Sequence, residues 1–392
     1  MKITFMLLDA SAIDGTVRST FTLAGELARR HDVEIVSVLR NADLPAFPLP
    51  DRVRLRSLVD LRPGAKVPWP NTARAERLMA EPSAMVHPEE RSYTKFSAWT
   101  DVRITRFLQR LRTDVLVATR AGLNIAAARF TPRRVVVVGQ EHLQFGIHEP
   151  GILAEIEKWY PRLDALTCLT VADREDYEAG FPDGTCPVYT IGNGLPSGVY
   201  PRSRQENKVV VAAGRMVWIK GYDLLLRAFT KVVEKHPEWQ LRIYGRGVRR
   251  EQLLRQATRL GLYNNVLLME PTDDMEGELA KASILAMSSR AEPFGMTIIE
   301  AFACGLPVVG FDCPRGPREI ISNGHDGLLV PPEDPDAFAE TLIRLIDDER
   351  LRHQMARNAR ATAEKYDITV VAGQWEKMLA QLRAAPRRKS GR

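Results

Sequence analysis

Four charged side chains are spaced as if for work on a phosphorylated, hydroxyl-rich ligand. Glu292 and Glu300 have seven residues between them, and Arg215 and Lys220 lie five apart with Gly214 and Gly221 just outside them. Arg and Lys together suit a diphosphate, Arg by its planar fork and Lys as a point charge, and glycines let backbone approach a ligand closely. The carboxylates suit hydroxyl groups on either side of that phosphate.

These residues need elements to hold them. Ile284 to Met287 reads as a strand, Pro293 and Gly295 break regular structure, and Ile298, Ile299 and Phe302 mark a helix that ends at Gly305. Glu292 then sits on a strand-to-helix turn and Glu300 in the first turns of the helix. Such a turn aims free N–H groups and the positive end of the helix dipole at a ligand.

The rest of the second half repeats one pattern. Val209 to Ala213 is a strand with GRMVWIKG as its loop; Tyr222 to Lys235 is an amphipathic helix. Gln240 to Tyr244 is a strand with Gly245 and Gly247 in its turn, and Arg249 to Leu260 is a helix. Val266 to Met269, Val308 to Phe311 and Leu328 to Val330 complete a second parallel sheet, and Asp336 to Leu382 is helical before a basic tail, PRRKSGR, expected to fray.

The first half follows the same plan. Ile3 to Leu8 is a buried strand, DASAIDGTVRS a loop, Ser19 to Arg30 a helix and Val33 to Leu39 the next strand. Gly15 and Thr16 fall at the first strand-to-helix turn, where an ordinary turn and a phosphate contact are both open readings. Asn41 to Pro70 lacks clear periodicity, and Thr72 to Thr113 is mainly helical. Strands at Asp114 to Thr119, Arg134 to Val138, Leu163 to Leu169 and Pro187 to Ile191 follow. His142 lies in the loop GQEHLQF beyond one of them, on the ligand-facing side of a parallel sheet. Ser197 to Asn207 reads as a linker. The fold class is therefore α/β, with domains at 1–196 and 205–372, a closing helix at 373–385 joining the first, and a ligand cleft where the strand ends face each other.

Composition narrows the partners. The 392 residues are 45% apolar and 27% charged with a formal net charge of +6, typical of a globular chain. No zinc-finger spacing or aromatic-basic RNA motif is present, so nucleic acid is not expected. Cys168, Cys186, Cys304 and Cys313 lack metal-ligand spacing and fit a reducing cytoplasm. The opening MKITFMLLDA lacks a cleavage region, and no apolar stretch spans a bilayer. Arg103, Arg106 and Arg110 share one helix face, either solvated or set against anionic lipid at the inner face of a membrane.

GRMVWIKG, AEPFGMTIIEAFACGLPVV and GPREIISNGHDGLLVPPEDPDAFAETLIRLI together resemble the C-terminal domain of family 4 retaining glycosyltransferases of GT-B fold, two Rossmann-like domains facing each other across a cleft. Glu292 and Glu300 are similar to that family's E-x7-E motif. The resemblance implies a nucleoside diphosphate sugar, UDP-linked, as co-substrate, with no cofactor and no metal. It implies Arg215 and Lys220 on the diphosphate, Glu300 on the ribose, Glu292 on the sugar, and backbone at Phe294, Gly295, Met296 and Thr297 toward sugar or phosphate. Gly214, Gly245 and Pro271 would line the nucleotide, His142 matches a pocket histidine, and Gly15 and Thr16 match a first loop that is usually richer in glycine. CPRGPREII is similar to members that act on polymers or lipid-linked glycans, with the acceptor expected over Asn41 to Trp99. Alternatives are an epimerase or phosphorylase on the same architecture, or a non-catalytic subunit that binds the nucleotide sugar.

Overall fold

The computed structural model describes residues 1–65, 72–181 and 185–385; the PRRKSGR tail lies outside the described residues. The chain divides into two compact units, one of Met1–Gly194 with the chain from Ile368, the other of Leu195–Asp367. The sequence boundaries at 196, 205 and 372 shift accordingly. Ser197 to Asn207 is not a free linker. Ser203 donates its backbone N–H to Cys304 O at 2.8 Å and its Oγ to Ala282 O at 2.5 Å. Gln205 Nε2 donates to Gly305 O at 2.9 Å. Polar side chains placed to satisfy neighbouring carbonyls seat this segment on the second unit, although its composition reads as loop.

The first unit holds seven parallel strands: β1 (Lys2–Asp9), β2 (Asp32–Arg40), β3 (Val53–Asp60), β4 (Val115–Ala118), β5 (Val136–Gln140), β6 (Ala165–Cys168) and β7 (Val188–Thr190). Their order is β3-β2-β1-β4-β5-β6-β7. Strand β3 is the element the sequence concealed. It is an edge strand whose Arg54 and Arg56 pair with Asp32 and Glu34 of β2, so alternating arginines stand where a central strand would show apolar side chains. Helix α1 (Gly15–Leu27) starts four residues before the expected Ser19, because Asp14 Oδ1 caps Val17 N at 2.9 Å. The expected long helical stretch is two helices, α2 (Thr72–Ala80) and α3 (Ala98–Gln109), the latter opened by a Ser97–Thr100 capping box. On α3, Ile104 and Leu108 are fully buried, Arg106 and Arg110 are exposed, and Arg103 turns back to donate to Leu58 O at 3.0 Å.

Helices α4 (Ala121–Phe130), α5 (Pro150–Trp159) and α6 (Val171–Gly180) complete the run of crossovers. The C-terminal helix, α14 (Ile368–Ala384), returns to this unit. Its Trp375 is fully buried, edge-on to Phe5 at 6.5 Å, and Glu376 meets His31 and Arg30 at 3.0 and 3.1 Å. Truncating so buried an indole costs about 3–5 kcal/mol.

The second unit has six parallel strands: β8 (Val209–Ala213), β9 (Gln240–Tyr244), β10 (Val266–Met269), β11 (Ile284–Met287), β12 (Val308–Phe311) and β13 (Gly327–Val330). Their order is β10-β9-β8-β11-β12-β13. Crossovers are α7 (Tyr222–Lys235), α8 (Arg250–Arg259), α9 (Met275–Ala280), α10 (Met296–Ala303) and α11 (Gly316–Ile320), followed by α12 (Pro335–Asp347) and α13 (Glu349–Ala363). The short α9 and α11 were not legible, since fewer than two helical turns carry little periodicity. In both sheets the strand order reverses beside the first strand, between β1 and β4 and between β8 and β11. Loops leaving those strand ends flank the crevice where open parallel sheets take ligands.

Candidate functional site

The loops after β8 and β11 meet at the second unit's reversal point. Gly221 lies at φ +61°, and a Cβ there would stand 1.9 Å from Ser288 O, so only glycine lets the two backbones touch. Ser288 Oγ donates to Lys220 O at 3.0 Å and Arg290 N donates to Ile219 O at 2.8 Å. This stitching brings Lys220 Nζ to 2.5 Å from Glu292 Oε2, with 20% and 14% of those side chains exposed. The pair is partly screened by solvent yet poised at a crevice lined by Tyr222, Ser288, Ser289, Gly295 and Thr297. Ser289 Oγ donates to Glu292 at 3.3 Å. Tyr222 is buried with no hydrogen-bond partner for its hydroxyl among the described residues; burial, then the Glu292 charge, pushes its pKa up.

Gly295, φ +106°, precedes helix α10 as its N-cap residue and offers no side-chain cap, so the first amides and the dipole face the crevice end of the loop. The structure brings Lys220, Glu292, Gly295 and Thr297 together there. Met296 opens the helix. The other expected residues have different settings. Arg215 is exposed, with no ion-pair partner among the described residues. Gly214, φ +148°, lies beneath the Lys220 side chain, and Gly245 closes on Gly214 O, where a Cβ would come within 2.0 Å. Pro271 is exposed beyond the edge strand β10. Phe294 points inward, buried against Tyr366 at 6.0 Å, so only its backbone is available to a ligand. Glu300 is buried on the second turn of α10.

Arg290, two residues before Glu292, has a role that the sequence does not signal. Its guanidinium donates to both Asp223 oxygens at 3.0 and 2.8 Å, to Glu333 Oε2 at 2.9 Å and to Trp218 O at 2.7 Å. Its Cζ also lies 4.6 Å from the centre of the Trp218 ring. Burial works against ionised Asp223, yet the Arg290 hydrogen bonds hold its carboxyl below the usual range. Arg315 pairs with the same loop through a backbone bridge to Glu292. It carries φ +84°, and its neighbour's Gly316 N donates to Glu292 O at 3.1 Å.

The first unit contributes its own polar centre. Glu141, fully buried at the end of β5, accepts from Tyr160 Oη and from Asn124 Nδ2 at 2.8 Å. His148 Nε2 lies 4.0 Å away and also meets Tyr177 Oη at 3.2 Å. Burial raises the Glu141 pKa to about 7, against the opposing hydrogen bonds from Tyr160 and Asn124. His142, the next residue, has a buried Nε2 with no partner among the described residues; burial, then Arg120, lowers its pKa to about 4. It is thus a neutral imidazole at pH 7. Gly15 and Thr16 open α1 in this unit. Gly15 lies at ordinary φ with no atom within 4 Å of a built Cβ, so the fold does not demand glycine there. A groove of about 730 Å³ lies beside the ends of β1, β2 and β3, lined by Ser11, Arg40, Asp43, Leu44, Trp99 and Arg103 among others. Among the described residues no cluster of three or more His, Cys, Asp or Glu could hold a metal, and no helix is long and apolar enough to cross a membrane.

Residues 201–362 match the family model for glycosyl transferases group 1. Over its whole length the chain is 36% identical to an exopolysaccharide phosphotransferase of Streptomyces coelicolor, of whose length it spans 42%. Across 98% of this chain and all of the relative, it is 23% identical to an α-1,4-N-acetyl-D-galactosaminyltransferase of Campylobacter jejuni, whose name specifies an acceptor glycan on diphosphoundecaprenol. Among solved structures, Anabaena HepE in complex with UDP and glucose superposes with a TM-score of 0.75 at 19% identity, covering 97% of this chain and 99% of that one. The two parallel-sheet units are those of the GT-B fold.

Proposed function

We propose that this chain is a retaining glycosyltransferase that moves a sugar from a nucleoside diphosphate, UDP-linked, to a hydroxyl of a cell-envelope polymer or lipid-linked glycan. The observation that carries the reading is the Lys220–Glu292 pair at the reversal point of the second sheet, beside the uncapped start of α10. Cleaving C1 from a diphosphate oxygen leaves growing negative charge on the phosphate. Lys220 and the α10 amides are held at the crevice, and the exposed Arg215 is assigned to close on the phosphate; together they stabilise it without a metal ion. Glu292, released from Lys220 when the diphosphate arrives, hydrogen-bonds the sugar, and Glu300 serves the ribose. His142 is assigned to the transferred sugar as a neutral hydrogen-bonding group.

Retention follows from front-face attack, the acceptor hydroxyl passing its proton toward the departing phosphate oxygen. The relatives' printed activities support an envelope-glycan acceptor. One of them makes an α linkage, which is a retained anomer when the donor is α-linked. The 730 Å³ groove of the first unit is assigned to the acceptor, in keeping with the sequence expectation for Asn41 to Trp99. We place the enzyme in the cytoplasm, with the exposed Arg106 and Arg110 of α3 turned to anionic lipid; sedimentation with anionic vesicles no better than with neutral ones would remove that contact.

A second reading comes from the phosphotransferase name of one relative. Transfer of a sugar phosphate would place the acceptor oxygen on the sugar-bearing phosphorus, break that phosphorus's bond to the bridging oxygen and release a nucleoside monophosphate. Glycosyl transfer breaks the C1–O bond and releases the diphosphate. Chromatography of the released nucleotide and NMR of the product anomer decide both points: UDP with a retained anomer is expected, and UMP or an inverted product would overturn the proposal.

A further inference from the structure

The Lys220–Glu292 geometry depends on two loops, one of which carries only the single 3-10 turn Trp218–Lys220. Besides the Ser288 Oγ and Arg290 N bonds, one side chain ties the two loops together from several directions. Arg290 sits two residues before Glu292, and 8% of its side chain is exposed. It reaches the carbonyl of Trp218, two residues before Lys220, as well as Asp223 in the first turn of α7 and Glu333 beyond β13. A planar guanidinium can serve three directions at fixed angles, which an ammonium cannot. The contacts are short, and Trp218 stacks over the same group. The Glu333 carboxylate is largely solvent-facing, whereas the Asp223 pair is bidentate and only partly exposed.

Resting on the transferase reading, we propose that Arg290, with Asp223, is the positioning residue of the donor site, fixing the distance between Lys220 and Glu292 in register with the start of α10. It touches neither phosphate nor sugar. Its effect passes through Lys220, whose backbone carbonyl and preceding turn are held by the same loop. Removing the fork frees the turn carrying Lys220 to shift, and a displacement of about 1 Å in a catalytic group lowers turnover by about 10²-fold.

The test uses the full chain, with UDP binding by calorimetry and turnover of a UDP-sugar. Arg290→Ala is expected to lower kcat by about 10²-fold, with a smaller change in donor KM. Arg290→Lys restores only part of that. Asp223→Asn, which keeps the side-chain shape, falls in the same direction and guards against a variant that fails to fold. In a Lys220→Ala background, Arg290→Ala adds little further loss, because the group it positions is gone. Arg290→Ala with parental kcat, or losses that multiply undiminished in the Lys220→Ala background, would overturn the inference while leaving the transferase reading standing. A parent chain that neither binds UDP nor turns over a UDP-sugar overturns the transferase reading and the inference with it.

Discussion

Lys220 Nζ and Glu292 Oε2 are 2.5 Å apart, so the cation assigned to the diphosphate is held by the carboxylate assigned to the sugar. Donor and Glu292 therefore compete for one ammonium. Glu292→Gln is expected to tighten UDP binding about fivefold while cutting turnover. A charged hydrogen bond is worth about 1.5–3 kcal/mol, and partial exposure reduces it to about 1 kcal/mol. Calorimetry with UDP checks this; weaker binding in the variant would mean that the pair supports the phosphate site and does not compete with it.

Glu141 gives a pH signature. Its folded pKa, about 7, lies above the unfolded value of 4.5, so its contribution to stability is full below pH 4.5 and lost as pH rises through 7. Glu141→Gln keeps a carbonyl acceptor and does not titrate. Thermal unfolding of the variant relative to the parent should improve steadily between pH 5 and pH 8. A gap that is flat with pH would contradict a carboxyl that ionises in this range.

His142 and His148 act in the other direction. Both folded pKa values are lowered to about 4, chiefly by burial, against an unfolded 6.5. Their contribution is present above pH 6.5 and lost as pH falls toward 4. His142→Asn should flatten part of the stability loss between pH 6.5 and 4 in acid titrations followed by circular dichroism. An unchanged profile would place His142 in water.

Arg315 stores backbone strain. At φ +84° and ψ −120° a side chain is disfavoured by about 1–3 kcal/mol. Arg315→Gly relieves it, offset by the greater freedom of glycine in the unfolded chain. The net gain expected is about 1 kcal/mol, or about 2–4 °C in Tm for a unit of this size. A lower Tm would show that the Arg315 side chain contributes more than its backbone costs.

Much of this was legible because parallel strands buried on both faces read as apolar runs, as in β8 and β11, and because glycine and proline punctuate the turns that follow them. The edge strand β3 was hidden by its arginines, and α9 and α11 by their shortness. At the site, Lys220 and Glu292 were visible as charges in glycine-flanked loops. Arg290 and Asp223 were not, since their role lies in a hydrogen-bond pattern across 67 positions of chain that only folding reveals. Phe294 shows the converse: a residue inside the right motif whose side chain the core has taken.

The central claim is that Lys220 stabilises the departing diphosphate, and turnover of a UDP-sugar by Lys220→Ala tests it most directly. A fall in kcat of about 10²–10³-fold is expected, as for loss of one positioned charge stabiliser, in a variant whose thermal unfolding matches the parent. A folded Lys220→Ala chain that turns over at the parental rate would contradict it.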